Sequence, residues 1–298
     1  MNKVVVIVGA SSGIGLEISK LFIINGFTVY NLSRSKSLID GINNITADVV
    51  NDQTVRDAYQ EIKSKHRKID YLIYCAGCSL ASGLEHIDSQ DYKYLWEVNY
   101  FGAIKIVKTF LPLLTVGSKL DLYELRSACR LSRVSELHSC GGSPTAVRLI
   151  SNFEPTATVV FVSSVAALFP IPFDGYYSAS KSALNMLSQS LNLEYRNHNI
   201  RFTSVMPGGV KTNFTFKRKI NSATDCKSFE NAVNTLKNIE QGGMDAAQCA
   251  KKVVKVINKK NPPISAVIGI KNKINMLILK LLPKKLRLKL IAKKFGVP

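Results

Sequence analysis

Short apolar runs alternate with longer amphipathic stretches along the first two-thirds of the chain. A run of roughly four to eight apolar residues bounded by turn formers reads as a buried strand. A longer stretch with apolar residues every three or four positions reads as a helix lying on a sheet. On this pattern Lys3–Val8, Phe27–Leu32, Asn43–Ala47, Asp70–Cys75, Thr158–Ser163, Ile200–Met206 and Pro263–Ile268 are predicted strands. Gly13–Asn25, Asp52–His66, Gln90–Leu114, Tyr176–Arg196 and Ala246–Asn258 are predicted helices. Strands mostly alternating with helices predict βαβ units, hence an α/β protein with a doubly wound parallel sheet.

Two stretches depart from the rhythm. About forty residues separate Leu114 from Thr156 where a turn of about ten would serve. This piece has one lysine, Lys119, but carries Arg126, Arg130, Arg133 and Arg148 and two of the six cysteines. It reads as an inserted element, about 115–156. It enters after a helix and before a strand, so it hangs from the strand N-terminal edge, away from the carboxyl edge where such sheets bind ligands. The second departure is the C-terminus. Residues 271–298 set Ile274, Leu277, Ile278, Leu281 and Leu282 among lysines, and Pro283 then opens a second piece of the same kind. Two short basic amphipathic helices are expected there, in contact either with an anionic membrane surface or with the protein's own lid or partner subunit. The chain thus divides into one domain, 1–270, and a basic extension, 271–298.

The charge follows this division. The net charge is +19, but 13 Lys and one Arg lie from Lys251 onward, with no Asp or Glu among them. The excess belongs to the tail rather than to a binding face on the core, which argues against nucleic acid as a partner. Cys75 and Cys78 form a C-x-x-C, but no second pair at metal-ligand spacing follows, so reduced thiols in a cytoplasmic protein and no metal are expected. The apolar run Val4–Val8 is too short for a secretory signal, and no stretch of about 18 apolar residues occurs.

The chemistry lies at the strand ends. Gly9, Ser11, Ser12, Gly13, Ile14 and Gly15 join the first strand to the first helix. Glycines there let backbone approach a pyrophosphate seated on the free amides of the helix N-terminus. The second strand ends in Ser33-Arg34, with no acid until Asp40. An acid would take ribose hydroxyls, whereas an arginine fork takes a 2′-phosphate, so NADP(H) is the expected cofactor.

With Gly9, Gly13 and Gly15 at G-x-x-x-G-x-G spacing, the chain resembles the short-chain dehydrogenase/reductase family over about residues 3–114 and 157–270. The resemblance implies a Rossmann fold and carbonyl–alcohol interconversion. It implies that Asp48 and Val49 contact adenine, that Ala76 and Gly77 let backbone pass close to the cofactor, and that Pro207, Gly208, Val210 and Thr212 meet the nicotinamide. Two positions depart: Val8 replaces a usual Thr and Cys75 a usual Asn. A homodimer or homotetramer through helices Gln90–Leu114 and Tyr176–Arg196 is also implied.

Tyr177 and Lys181 stand at i and i+4, on one helix face, thirteen residues after Ser164. Tyr59 and Lys63 repeat the spacing but have no serine-bearing strand upstream. Reducing a ketone requires a proton for its oxygen. A nearby ammonium is expected to pull the phenol of Tyr177 down from about 10. Tyr177 is therefore the expected acid/base, Lys181 its tuner and a ribose ligand, and Ser164 the donor that orients the substrate oxygen. The resemblance adds Asn99 as the holder of a water in the proton relay. Residues 213–243 are the expected substrate lid. The resulting reading is an NADP(H)-dependent oxidoreductase acting on a carbonyl or alcohol, with a hydrophobic, lipid-like substrate and a place at the inner membrane face suggested by the tail. The alternatives are a non-catalytic nucleotide sensor or scaffold of the same fold, and a degenerate enzyme impaired by its insertion.

Overall fold

The computed structural model describes residues 2–116, 157–198, 200–221 and 227–298. The expectation for 115–156 falls almost wholly outside them. β1 (Val4–Val8), β2 (Thr28–Ser33), β3 (Ile42–Thr46), β4 (Tyr71–Tyr74), β6 (Ala157–Val162), β7 (Ile200–Met206) and β11 (Ser265–Val267) form one parallel sheet in the order β11-β7-β6-β4-β1-β2-β3. The order reverses between β1 and β4, which opens a crevice at the carboxyl ends of these strands. Every position of β1 is buried, as a central strand covered on both faces requires.

Helices cover both faces. On one, Ile18 and Phe22 of α1 (Gly13–Ile24) pack with Val253 and Ile257 of α7 (Ala246–Ile257). On the other, Val55 and Ile62 of α2 (Asp52–Lys65), Ile106 and Phe110 of α4 (Gly102–Leu114) and Leu184 of α5 (Gly175–Glu194) share a second core.

The expected helix over Gln90–Leu114 is present and continuous, but one of its turns is widened. α3 (Ser89–Trp96) leads into a π turn, Glu97–Phe101, and only then into α4. The cause is a distant side chain. The Tyr74 hydroxyl donates to the Val98 carbonyl, and a Cβ at Gly102 would stand 2.7 Å from that hydroxyl. An inserted polar group of this kind widens a helical turn.

The fold adds elements that the apolar pattern did not announce, most of them in the C-terminal third. β5 (Leu80–Ser82) pairs with β9 (Lys219–Asn221), and β8 (Val210–Lys211) with β10 (Met244–Asp245). α6 (Lys227–Gln241) lies within the expected lid and buries Phe229, Ala232 and Leu236. The expected tail helices are present as α8 (Ile270–Leu281) and α9 (Lys284–Phe295). Ile291 and Phe295 of α9 join Ala232 and Leu236 of α6 in a third apolar cluster with Ala166 and Ile171. No helix among the described residues is long and apolar enough to cross a membrane.

Candidate active site

A cavity of about 540 Å³ lies over the carboxyl ends of the central strands. Every residue expected above to serve catalysis or to bind the cofactor borders it except Asn99. The turn after β1 is tight: Gly9 has φ +86°, and its amide donates to Leu32 O at 2.9 Å. A Cβ at Gly9 would stand 2.9 Å from Ala76 N, and one at Gly15 would stand 2.3 Å from Gly9 O. Ser12 caps α1 with extended backbone and no side-chain hydrogen bond, so the first-turn amides carry no side-chain acceptor from the cap. A cradle of this shape fits a dinucleotide pyrophosphate.

The loop's position is set by a residue that the sequence pattern did not flag. Asn31, 1% exposed in the middle of β2, accepts the Ala10 amide at 3.0 Å and donates to Asn44 Oδ1 at 2.9 Å. The signal was a lone amide inside an otherwise apolar strand. At the end of β2, Arg34 borders the cavity, and its Nη1 donates to the Tyr94 hydroxyl at 2.7 Å. Tyr94 comes from α3, far along the chain, and nothing local marked it.

Ser164 caps a short 3-10 turn, its Oγ accepting the Ala166 amide at 3.1 Å. It also hydrogen-bonds the Tyr177 hydroxyl. Lys181 lies one helical turn on, 3% exposed, with Nζ donating to Val162 O at 3.2 Å and standing 5.7 Å from the Tyr177 ring centre. Burial lowers its pKa from 10.5 to about 8. The expectation that Lys181 would pull Tyr177 down is corrected here. Burial, joined by the charge of Asp174, pushes the Tyr177 phenol above its ordinary value, against the pull of the Ser164 hydrogen bond. Tyr177 is held as a phenol, and the cost of desolvation falls on the lysine as well.

Asn99 is fully buried behind the cavity wall, in the π turn. Its Oδ1 accepts the Cys78 amide at 2.9 Å, and its Nδ2 donates to Cys78 O at 3.0 Å and to Ser180 Oγ at 3.0 Å. Both amide donors are therefore engaged by the protein, and the side chain ties the loop after β4 to α5. Gly77 in that loop leaves little room for a Cβ, which would meet Asn99 Oδ1 at 3.2 Å and Lys181 Nζ at 3.3 Å. This bracing secures the loop in which Cys75 stands where the resemblance expects Asn. Burial pushes the thiol of Cys75 up to about 12 and that of Cys78 to about 11, so both are protonated at neutral pH.

Asp174 was also missed. It is 1% exposed, directly ahead of α5, and accepts from Ser79 Oγ at 3.1 Å. Arg218 Nε donates to the same Ser79 Oγ at 2.9 Å and pairs with Glu240 of α6 at 2.5 Å. Burial, opposed by Arg218 and the Ser79 bond, raises Asp174 to about 7. The residue before it, Phe173, has φ +59°, a left-handed conformation that a bulky residue adopts only when its surroundings hold it. The Phe229 ring, 5.3 Å away edge-to-face, is part of that hold.

The family model for short chain dehydrogenases matches residues 3–120 and 145–223, well over half of the chain. The chain belongs to this family. It is an oxidoreductase of the carbonyl–alcohol kind, in a family whose typical cofactor is a nucleotide of the NAD(P) type. A 3-ketodihydrosphingosine reductase of Bacteroides thetaiotaomicron is 27% identical over 90% of this chain and 88% of its own length. An NADPH-dependent 1-acyldihydroxyacetone phosphate reductase of Saccharomyces cerevisiae is 24% identical over 99% of this chain and 91% of its own. Among solved structures, a short-chain dehydrogenase of Streptomyces avermitilis superposes with a TM-score of 0.74 at 20% identity, covering 99% of this chain and 97% of that one. The break in the family match, between 120 and 145, falls within the stretch read as inserted.

Proposed function

We propose that this protein is an NADP(H)-dependent reductase of apolar, lipid-like carbonyl compounds, with Tyr177 as its acid/base. The observation that carries the reading is the Ser164–Tyr177 hydroxyl pair standing beside an apolar wall built by Ile171, Leu236 and Phe295. That wall comes from three separate parts of the chain and suits an alkyl chain rather than a sugar.

When bound, the nicotinamide nucleotide supplies or accepts the hydride. The chain's own residues handle the oxygen. Ser164 Oγ donates to the substrate carbonyl and aligns it beside Tyr177. Tyr177, held protonated by burial, donates its phenolic proton to that oxygen as the alcohol forms. Lys181, with a pKa near 8, is charged for most of the protein at neutral pH and stabilises the phenolate left behind. Asn99 acts at one remove, by fixing the loop at Cys78. Arg34, braced by Tyr94, is the group suited to a 2′-phosphate. The names of two relatives, each a reductase of a lipid-related ketone, agree with this reading. Residues 1–270 would then be the catalytic domain, with 115–156 inserted into it and 271–298 completing its roof.

Titration of the purified chain with NADPH and with NADH, followed by nucleotide fluorescence, tests the cofactor. Turnover of a long-chain ketone in detergent by wild type and by Tyr177→Phe tests the chemistry. Tight NADPH binding, weak NADH binding and turnover lost only in the variant are expected. Equal binding of both nucleotides, or turnover that survives in Tyr177→Phe, would overturn the reading.

A further inference from the structure

Helix α8 has its polarity inverted relative to an ordinary surface helix. Its inward face carries Asn272 and Met276, which border the cavity. Asn272 lies over the Pro207–Gly208 turn, its Nδ2 standing 2.5 Å from where a Cβ of Gly208 would be. Its outward face carries the aliphatic residues. Ile270, Ile274, Leu277, Ile278 and Leu281 are all more than half exposed, Ile270 by 77% and Leu281 by 76%. At about 100° per residue, these five fall in one arc roughly 100° wide. Lys271 stands at one margin of the arc, and Lys273 and Lys280 at the other.

A water-facing helix gains nothing from such an arc, and a lipid–water interface explains each part of it. The aliphatic side chains enter the acyl boundary, and flanking lysines extend their stems along it to keep their charge among headgroups. The charge of the neighbouring helix points to the same surface. Lys284, Lys285, Arg287 and Lys289 lie at the start of α9, and no acidic residue occurs anywhere after Asp245. α9 has already spent Ile291 and Phe295 on the lid, whereas α8 buries no residue at all.

We propose that α8 docks the protein on an anionic bilayer, with its aliphatic arc among the acyl chains and the cations of α8 and α9 on the headgroups. The inner face of the same helix borders the catalytic cavity, so the docked enzyme meets its substrate at the lipid surface. This last consequence rests on the apolar-carbonyl reading above; the docking does not.

Flotation of the full-length protein with vesicles of phosphatidylcholine, alone or mixed with phosphatidylserine, is the test. Binding to the mixed vesicles is expected, falling steeply as salt is raised. Ile274→Asp/Leu277→Asp should lose at least about tenfold in bound fraction while keeping the wild-type thermal transition and NADPH affinity. Ile278→Gln, which adds no charge, should lose several-fold and stands in if the double variant fails to fold. Equal flotation of wild type and variants would overturn the docking, as would a wild type that does not float. So would a concentration-dependent dimer that the variants abolish, since a second copy would then cover the arc. A chain that floats but reduces no ketone in detergent keeps the docking and refutes the function. One that reduces the ketone but never floats does the reverse.

Discussion

Arg34 Nη1 donates to the Tyr94 hydroxyl at 2.7 Å, joining the end of the second strand to a helix that begins more than fifty residues later. The bond restrains a long, exposed cation at the edge of the cavity, where the proposed function puts a 2′-phosphate. Arg34→Glu should weaken NADPH binding by about 100-fold, from losing a charge-assisted pair and adding repulsion. NADH binding should change by no more than about threefold, since it has no such phosphate. Tyr94→Phe should give a smaller NADPH loss, about fivefold, because it removes only the restraint. Fluorescence titration of each variant reads both numbers.

Asn31 ties the cofactor loop to the sheet through the Ala10 amide. Asn31→Leu keeps the branched shape but leaves that amide without its acceptor in a buried site. A cost of about 1–3 kcal/mol in stability is expected, together with weaker binding of either nucleotide. Urea unfolding measures the first and nucleotide titration the second.

Two glycines of the site should respond differently to alanine. At Gly9 the new Cβ meets rigid backbone at Ala76, and φ is +86°. Gly9→Ala should cost about 1–3 kcal/mol in strain and abolish nucleotide binding. At Gly208 the obstacle is the side-chain amide of Asn272, which can turn aside at the cost of its hydrogen bond to Ile268 O, and φ is not positive. Gly208→Ala should keep most of its stability, read as a melting temperature close to wild type.

Asp174 makes stability depend on pH in an unusual direction. Its folded pKa, about 7, lies above its ordinary 3.8, because burial disfavours the carboxylate. Between these values the folded state holds a proton that the unfolded state releases. The contribution is therefore full below about pH 4 and is lost as pH rises through 7, by up to about 4 kcal/mol. Asp174→Asn retains an acceptor for Ser79 but cannot titrate. Its melting temperature, measured without nucleotide from pH 5 to 8, should fall less with rising pH than that of the wild type.

At the reacting centre, Ser164→Ala should lower kcat by about 10²-fold, the usual effect of removing one donor from a developing oxyanion. Tyr177→Phe should lower it by about 10²–10⁴-fold, and NADPH affinity should be unchanged in both. Parallel loss of nucleotide binding would mean that these hydroxyls shape the cavity rather than serve the reaction.

Much of this fold was legible from local pattern. Apolar runs such as Val4–Val8 mark central strands because both faces of a parallel sheet are covered. The Gly9–Gly15 turn and the Tyr177–Lys181 spacing are equally local, since one is set by backbone sterics and the other by the helical repeat. Each of these elements stands where the pattern placed it. The lid helix Lys227–Gln241 was not legible, because its stability comes from three residues, Phe229, Ala232 and Leu236, that find partners elsewhere in the chain. The π turn at Asn99 depends on a hydroxyl from β4, which no window around Asn99 contains.

The residue order thus specified the sheet, the glycine cradle and the shared helix face of Tyr177 and Lys181, because these follow from periodicity and from backbone sterics. Long-range packing specified the rest. It raised Tyr177 instead of lowering it, since burial and the charge of Asp174 outweigh the pull of the Ser164 hydrogen bond. It placed Tyr94 on Arg34, Asp174 beside Tyr177, and the tail over the cavity with its aliphatic side turned outward. These are relations between surfaces, and a surface exists only once the chain has folded.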